Sequence, residues 1–249
     1  MKRIRLIARI AALLLLVPGC AAIFQPKTIT PIAFKQFGNT SNPKHIAILL
    51  PGIRDRIDVF EKNGFIEIAR PLLEKNPDTA LIVVDAHWGY YRERKIVERL
   101  TQDIVNQHPN AKLTFVGASL GGFGSLLMAM EHSHRVESLV LLAPFLGEDD
   151  YSYLDRLKTQ GIVDLPDDED LTLALNRSWK FLLNPQRKVA ISIAYGTEDS
   201  FAPYYGFLMR QTPALIQIES VQGGHDWETW RSVWQKYASS VFAHSDSRK

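Results

Sequence analysis

Short runs of consecutive apolar residues alternate along the chain with longer segments in which apolar residues recur every three or four positions. The short runs predict strands at 45–51, 79–87, 112–118, 136–144, 188–196 and 214–220. The longer segments predict helices at 59–76, 94–108, 120–133 and 227–242. Because strands that are apolar throughout are buried on both faces, the pattern predicts an α/β fold, a mainly parallel, doubly wound sheet with helices on both faces.

Two segments depart from this alternation. Residues 20–43 contain three prolines and a candidate edge strand, which predicts a tether and edge segment before a domain at 44–245. Residues 145–187 form a short insertion before the strand at 188–196, and acidic residues are concentrated there. This insertion is either a solvated connection or a small lid that contains a helix.

The first 19 residues have the pattern of a secretory signal. Four basic residues and no acid precede an uninterrupted apolar run at 10–17, which ends in Pro18-Gly19-Cys20. The run is too short to span a membrane, since a spanning helix needs about 20 residues. Cys20 is the only cysteine of the chain, so no intrachain disulfide can form.

A single cysteine directly after the apolar core resembles the lipobox of bacterial lipoproteins. The resemblance implies that residues 1–19 are a lipoprotein signal peptide and that Cys20 becomes a lipidated first residue carrying fatty acyl chains such as palmitate. The exported domain is then held on a membrane of the bacterial cell envelope, because each buried CH₂ adds about 0.8 kcal/mol of membrane affinity. The alternatives are an ordinary signal with an incidental cysteine, giving a periplasmic or secreted protein, or an uncleaved anchor.

Charge and composition narrow the class of protein. The 249 residues are 46% hydrophobic and 22% charged, values typical of one soluble globular domain. Without the signal, 25 basic residues stand against 27 acidic ones, because the signal holds four of the 29 Lys and Arg. The positive charge of the full chain therefore gives no indication of nucleic-acid binding. The acidic insertion lacks the spacing of a calcium loop, and neither a metal nor a cofactor is predicted.

Ser119 lies between two glycines, in Gly117-Ala118-Ser119-Leu120-Gly121, where a predicted strand runs into a helix. A serine hydroxyl attacks efficiently only when a base accepts its proton, and backbone N–H groups must hold the oxyanion that forms. A tight strand–turn–helix exposes the hydroxyl but brings the two backbones so close that only glycine fits two residues before and after it. This is the G-x-S-x-G nucleophile elbow. The alternative is a glycine-rich turn in which Ser119 only caps the helix.

The elbow requires an acid and then a histidine later in the chain. Asp199 follows the predicted strand at 188–196, with Glu198 beside it as the alternative acid. His225 follows the strand at 214–220 and is the one histidine after the serine that lies in a glycine-flanked loop. His87 also ends a strand, but it precedes the serine, so we expect it at most to line the pocket.

With these motifs the sequence resembles the α/β-hydrolase family over nearly all of residues 45–243. The residues around Ser119 match the nucleophile turn of the family, and Gly224-His225 matches its histidine loop. The acid turn is matched by Gly196, Asp199 and Pro203. The longer "GGHDW" is similar to esterases related to S-formylglutathione hydrolase and tributyrin esterase.

The resemblance implies a triad of Ser119, His225 and Asp199. Ser119 attacks a carbonyl, His225 takes and returns the proton, and Asp199 fixes the imidazole tautomer and stabilises its cation.

The oxyanion hole is expected to use two backbone N–H groups, one of them from Leu120, the residue after the nucleophile. The second comes from the loop after the first buried strand, where Pro51 replaces a histidine that is common in the family. Ile53 is the preferred donor there and Gly52 the fallback. Arg54, in the same loop, is either a solvated surface residue or a contact for a carboxylate or phosphate of the substrate.

The sequence therefore predicts a membrane-anchored serine hydrolase that cleaves carboxylic esters, including lipid or thioester acyl groups, through an acyl-enzyme. Its expected partners are a small-molecule acyl ester or lipid substrate and the membrane surface. Two alternatives stay open: an acyltransferase or peptidase on the same triad, and a non-catalytic lipoprotein binding module on a hydrolase scaffold.

Overall fold

Seven strands form one sheet in the computed structural model, which describes residues 31–162, 170–211 and 216–243. The strands are β1 (Phe34–Gly38), β2 (His45–Leu50), β3 (Thr79–Val84), β4 (Lys112–Ala118), β5 (Val136–Leu142), β6 (Ala190–Gly196) and β7 (Gln217–Val221). Their order in the sheet is β1-β3-β2-β4-β5-β6-β7. All neighbouring strands are parallel except β1, which pairs antiparallel with β3. The predicted α/β class with a mainly parallel sheet is confirmed.

The helices of the described part follow the strands in the expected alternation. They are α1 (Val59–Lys62), α2 (Phe65–Lys75), α3 (Trp88–Arg92), α4 (Ile96–Asp103), α5 (Leu120–Glu131), α6 (Ser152–Gln160), α7 (Asp170–Leu183), α8 (Ala202–Gln211) and α9 (Trp227–Phe242). The helix predicted at 59–76 is divided at Gly64, whose left-handed φ of 75° separates α1 from α2. The helix predicted at 94–108 is α4 followed by a short 3₁₀ helix, Val105–Gln107.

The central strands are buried, as their uninterrupted apolar runs predict. All six residues of β3 and five of the six residues of β2 are buried, whereas the edge strands β1 and β7 are partly exposed. Helix α5 packs on β4 and β5, and α2 packs on α9. The indole of Trp234 in α9 donates a hydrogen bond to the carbonyl oxygen of Phe65 in α2 at 3.0 Å. This packing fixes the strand ends from which the site is built.

The insertion at 145–187 contains two packed helices, α6 and α7, on either side of residues that lie outside the described ranges. The Tyr153 hydroxyl of α6 donates to Asn176 Oδ1 of α7 at 2.7 Å, and both residues are buried. The buried indole of Trp179 donates to the Leu146 carbonyl oxygen at 2.9 Å. Helix α7 is thereby tied both to α6 and to the loop after β5.

The predicted signal at 1–19, Cys20 and the first part of the tether lie outside the described residues. Within the described ranges, no helix combines the length and apolar character needed to cross a membrane.

Candidate active site

Ser119 lies at the turn between β4 and α5, and its backbone has a conformation that residues other than glycine rarely adopt. Its φ is 52° and its ψ is −116°. Such a backbone costs free energy and persists only when its surroundings hold it. The Ser119 N–H donates to Leu142 O and the Ser119 carbonyl accepts from Phe145 N–H, both at 2.9 Å. The end of β5 therefore holds the strained turn on both sides.

Two glycines allow the strand and the helix to meet this closely. A Cβ on Gly117 would overlap the carbonyl oxygen of Gly121. A Cβ on Gly121 would overlap the carbonyl oxygens of Leu50 and Pro51, at the end of β2. The glycines on both sides of Ser119 thus have the steric role that the sequence motif requires. Ser119 is half-buried, at the carboxyl end of the central strand β4.

The structure brings the three predicted triad side chains into one hydrogen-bonded chain. His225 Nε2 lies 2.9 Å from Ser119 Oγ, and His225 Nδ1 lies 2.7 Å from Asp199 Oδ2. With the imidazole proton on Nδ1, the ring donates to Asp199 and its Nε2 accepts from the serine hydroxyl. This is the geometry in which an imidazole can take the proton of an attacking hydroxyl.

Asp199 is fixed at the end of β6 and is only 4% exposed. Its second carboxylate oxygen, Oδ1, accepts the N–H of Phe201 at 2.8 Å. The neighbouring Glu198 has an exposed side chain, and its N–H donates to Gly223 O at 2.8 Å. The structure therefore places Asp199, and not the alternative Glu198, beside the imidazole.

Two aromatic side chains hold the imidazole ring of His225. The ring of Phe201 lies 5.2 Å from it, and Trp230 meets it edge-on at 5.0 Å between ring centroids. The sequence reasoning did not assign either residue to the site. The apolar spacing of α9 indicates only that Trp230 is buried, whereas the tertiary structure shows that its indole also packs against the imidazole.

The loop after β2 lies directly beside the nucleophile. A Cβ on Gly52 would lie 3.8 Å from Ser119 Cβ, and Ile53 borders the same cavity as Ser119 and Leu120. The loop is held to the start of α9 by Asp55, whose Oδ2 accepts from the Trp227 indole at 3.3 Å. Burial raises the pKa of the Asp55 carboxyl above its ordinary value, and the hydrogen bond from Trp227 opposes that shift.

A cavity of about 900 Å³ opens at Ser119 and His225. Its wall is mostly apolar and comes from α3, α4, α5, α7 and the loops after β2, β5, β6 and β7. Representative lining side chains are Trp88, Val97, Leu120, Phe123, Leu127 and Phe145. A volume of this size accommodates a drug-sized organic molecule. Of these wall residues the sequence motifs indicated only Leu120, because the others lie in α3, α4, later turns of α5 and the loop after β5, outside the motifs.

Comparison with known proteins agrees with this architecture. The protein-family model described as "alpha/beta hydrolase fold" matches residues 85–190. The chain has the α/β-hydrolase fold. No curated protein matches the sequence.

Several solved structures share this hydrolase fold over most of their length. A ferulic acid esterase matches at 17% identity and a TM-score of 0.61, over 85% of this chain and 93% of that chain. An S-formylglutathione hydrolase from Staphylococcus aureus matches at 18% identity and a TM-score of 0.57, over 82% of this chain and 84% of that chain. A carboxylesterase from Nitrososphaera gargenis matches at 16% identity and a TM-score of 0.59, over 87% of this chain and 98% of that chain. At these identities the likeness shows the fold alone.

Three of the candidate residues do not line the cavity: Gly52, the fallback oxyanion donor, His87, the candidate pocket residue, and Glu198, the alternative acid. Gly52 contributes backbone beside Ser119, as described above. His87 is buried, and its Nδ1 accepts the N–H of Gly89 at 3.1 Å and so caps α3. Burial lowers the pKa of the His87 imidazole. The position of His87 at the end of a strand was therefore not enough to predict that it lines the pocket.

No group of three or more His, Cys, Asp or Glu side chains in the described ranges of this hydrolase fold is placed to hold a metal ion.

Proposed function

We propose that this protein is a serine hydrolase that cleaves carboxylic esters. The observation that carries the proposal is the chain of hydrogen bonds from Ser119 Oγ through the His225 ring to Asp199, with distances of 2.9 and 2.7 Å. The strained turn of Ser119 and the adjoining apolar cavity support it, since together they present a nucleophile to a bound acyl group.

In the proposed reaction, Ser119 Oγ attacks the carbonyl carbon of the ester while His225 Nε2 takes the hydroxyl proton. The carboxylate of Asp199 stabilises the imidazolium that forms. When the tetrahedral intermediate collapses, His225 gives its proton to the departing alcohol and the acyl group stays on Ser119. His225 then activates a water molecule, which attacks the acyl-enzyme and releases the carboxylic acid.

Backbone N–H groups are proposed to stabilise the oxyanion of that intermediate. The Leu120 N–H starts α5 directly after the nucleophile, and Ile53 lies in the loop that runs beside Ser119. One such donor accounts for roughly a 10²–10³-fold change in kcat in other hydrolases.

The comparisons support esters as the substrate class. The ferulic acid esterase, the S-formylglutathione hydrolase and the carboxylesterase all carry acyl-hydrolase names and share the fold of this chain at 16–18% identity. Each name describes that neighbour, and its transfer to this chain is part of the proposal.

The proposal is tested with the full-length protein purified in mild detergent. We expect hydrolysis of p-nitrophenyl butyrate and covalent labelling of Ser119 by a fluorophosphonate probe, since labelling needs an activated hydroxyl. Ser119→Ala is the matched control and should lose both. Equal rates for the wild type and Ser119→Ala would contradict the proposal.

We further propose that the domain is exported and held on a membrane by lipid attached to Cys20. The support is the basic segment, the apolar run at 10–17 and the single cysteine that follows it. Cells fed an alkyne analogue of palmitate should label the wild-type protein, and Cys20→Ser should abolish the label and release the protein from the membrane fraction. Membrane retention of unlabelled Cys20→Ser would contradict lipid anchoring.

A further inference from the structure

Four arginines line the cavity at Ser119: Arg54, Arg92, Arg94 and Arg177. All four are exposed, so their guanidinium groups lie towards solvent at the mouth of the cavity. They come from separate parts of the chain, namely the loop after β2, the end of α3 with the turn that follows it, and α7 of the insertion. The packing of the domain therefore gathers cations around one opening.

The inner wall of the cavity has the opposite character. Leu120, Phe123 and Leu127 follow one face of α5 away from the nucleophile, and they span about 10 Å at 1.5 Å per residue. Ile96 at the start of α4 is buried against the same space. This strip can cover an apolar acyl chain whose carbonyl carbon lies at Ser119, and it offers nothing to compensate a buried charge.

Arg54 and Arg177 are the arginines whose charge is available to a ligand. In the part of the chain that the structure describes, neither forms an ion pair. Glu148 and Asp149 also line the described part of the cavity. Arg54 follows Ile53 directly, which puts one of these cations beside the proposed oxyanion site. A guanidinium fits a carboxylate or phosphate through two parallel hydrogen bonds.

We propose that the substrates are esters with an apolar acyl chain and an alcohol part that carries a carboxylate or phosphate, which Arg54 and Arg177 bind at the mouth. An acyl chain that occupies the apolar wall leaves the alcohol part at the opening, where the arginines lie. This inference rests on the proposed ester hydrolysis and deepens it, because it names the substrate class of the same site.

The test compares esters that differ only in charge. The first pair is octanoylglycerol and octanoylglycerol phosphate. Hydrolysis of both is measured as the release of octanoate. The second pair is p-nitrophenyl octanoate and a nitrophenyl octanoate that carries a carboxylate on the ring, which distinguishes a general anion site from one for phosphate. A fifth ester, the mono-p-nitrophenyl ester of octanedioic acid, carries its carboxylate at the far end of the acyl chain.

We expect the wild type to prefer the anionic ester of at least one matched pair by about tenfold in kcat/KM. Arg54→Ala and Arg177→Ala should each reduce the ratio of anionic to neutral kcat/KM by about threefold, and the double variant by about tenfold, which abolishes the preference. The preference should weaken as salt is added, because the guanidinium groups are exposed. Arg210→Ala, an exposed arginine of α8 outside the cavity wall, is the matched control and should keep the wild-type ratio.

Three results would overturn the inference: equal kcat/KM within both pairs, a preference that the double variant retains, or fastest cleavage of the octanedioic ester. If neutral esters are cleaved without any preference for the anionic partner, this inference fails and the proposed function stands. If no ester is cleaved and the fluorophosphonate leaves Ser119 unlabelled, both fail.

Discussion

The domain has two places where an aspartate and a histidine lie at the carboxyl ends of parallel strands. Asp85 and His87 follow β3, and Asp199 and His225 follow β6 and β7. The two carboxylates are almost equally buried, at 3% and 4% exposure. Residue type, strand-end position and the burial of the carboxylate therefore do not separate the two couples.

The partner of each carboxylate does separate them. Asp85 accepts two hydrogen bonds from the Arg56 guanidinium, at 2.8 and 2.6 Å, and a third from Ile57 N–H at 3.0 Å. Asp199 is bonded instead to an imidazole that can lose and regain its proton. A permanent cation makes the first carboxylate an anchor for the loop after β2, whereas the imidazole makes the second one part of a proton-transfer chain.

The two histidines differ in the same way. His87 is turned inward to cap α3, while His225 lines the cavity and its free nitrogen reaches Ser119 Oγ. A general base must lie within hydrogen-bonding distance of the proton that it accepts. Access to the reacting atom, and not proximity of Asp to His along the carboxyl ends of the strands, therefore defines the candidate site.

The largest effect is expected for Asp199→Asn. The amide keeps the shape of the side chain but favours the wrong imidazole tautomer, so kcat for p-nitrophenyl esters should fall by about 10⁴-fold. The unfolding temperature is measured alongside, to show that the variant is folded. A folded Asp199→Asn protein with wild-type kcat would remove the distinction between the two couples.

Asp85→Asn should act mainly on stability. It replaces a charged, bidentate partner of Arg56, and hydrogen bonds to charged groups contribute about 1.5–3 kcal/mol each before solvent screening. Because Arg56 is half exposed, we expect a loss near the lower end, about 2 kcal/mol, in the free energy of unfolding measured in urea. The kcat of the folded protein should stay within about tenfold of the wild type. A loss of kcat as large as that of Asp199→Asn would show that the two couples act together.

His87→Asn should change how stability depends on pH. Because burial lowers the pKa of His87 below its ordinary value of 6.5, the unfolded chain binds more protons as the pH falls through that range. His87 therefore costs stability below about pH 6.5 and has no such effect above it. Between about pH 7.5 and pH 5.5, the Tm of the wild type should fall more than that of His87→Asn, whose amide oxygen can still cap α3. Parallel curves for the two proteins would count against this account.

The smallest effect is expected for Glu198→Gln, the matched control for Asp199. The side chain is exposed and only its backbone N–H is bonded, to Gly223 O. We expect a kcat within about twofold of the wild-type value and a Tm within a few degrees of it. A large loss of kcat would reopen the assignment of the acid.

Several features were predictable because they depend on local physics. Strands β2 to β6 were anticipated from apolar runs of a length typical of buried strands, and the elbow from two glycines around Ser119. The short helix α3 and helix α8 were missed, and α9 was anticipated but not its contact with the imidazole. Helix α3 is only five residues long and is capped by His87, so it leaves no periodic signal in the sequence.

The α/β alternation, the elbow and the order of serine, acid and histidine could all be predicted from the amino-acid sequence. Hydrophobic period and backbone sterics act over a few neighbouring residues, which is why one chain is enough to see them. The tertiary structure adds that Asp199 rather than Glu198 meets the imidazole, that His87 turns inward, and which side chains enclose the cavity. The hydrogen bonds of the triad join residues 26 and 106 positions apart, so they depend on how helices and loops pack around the sheet.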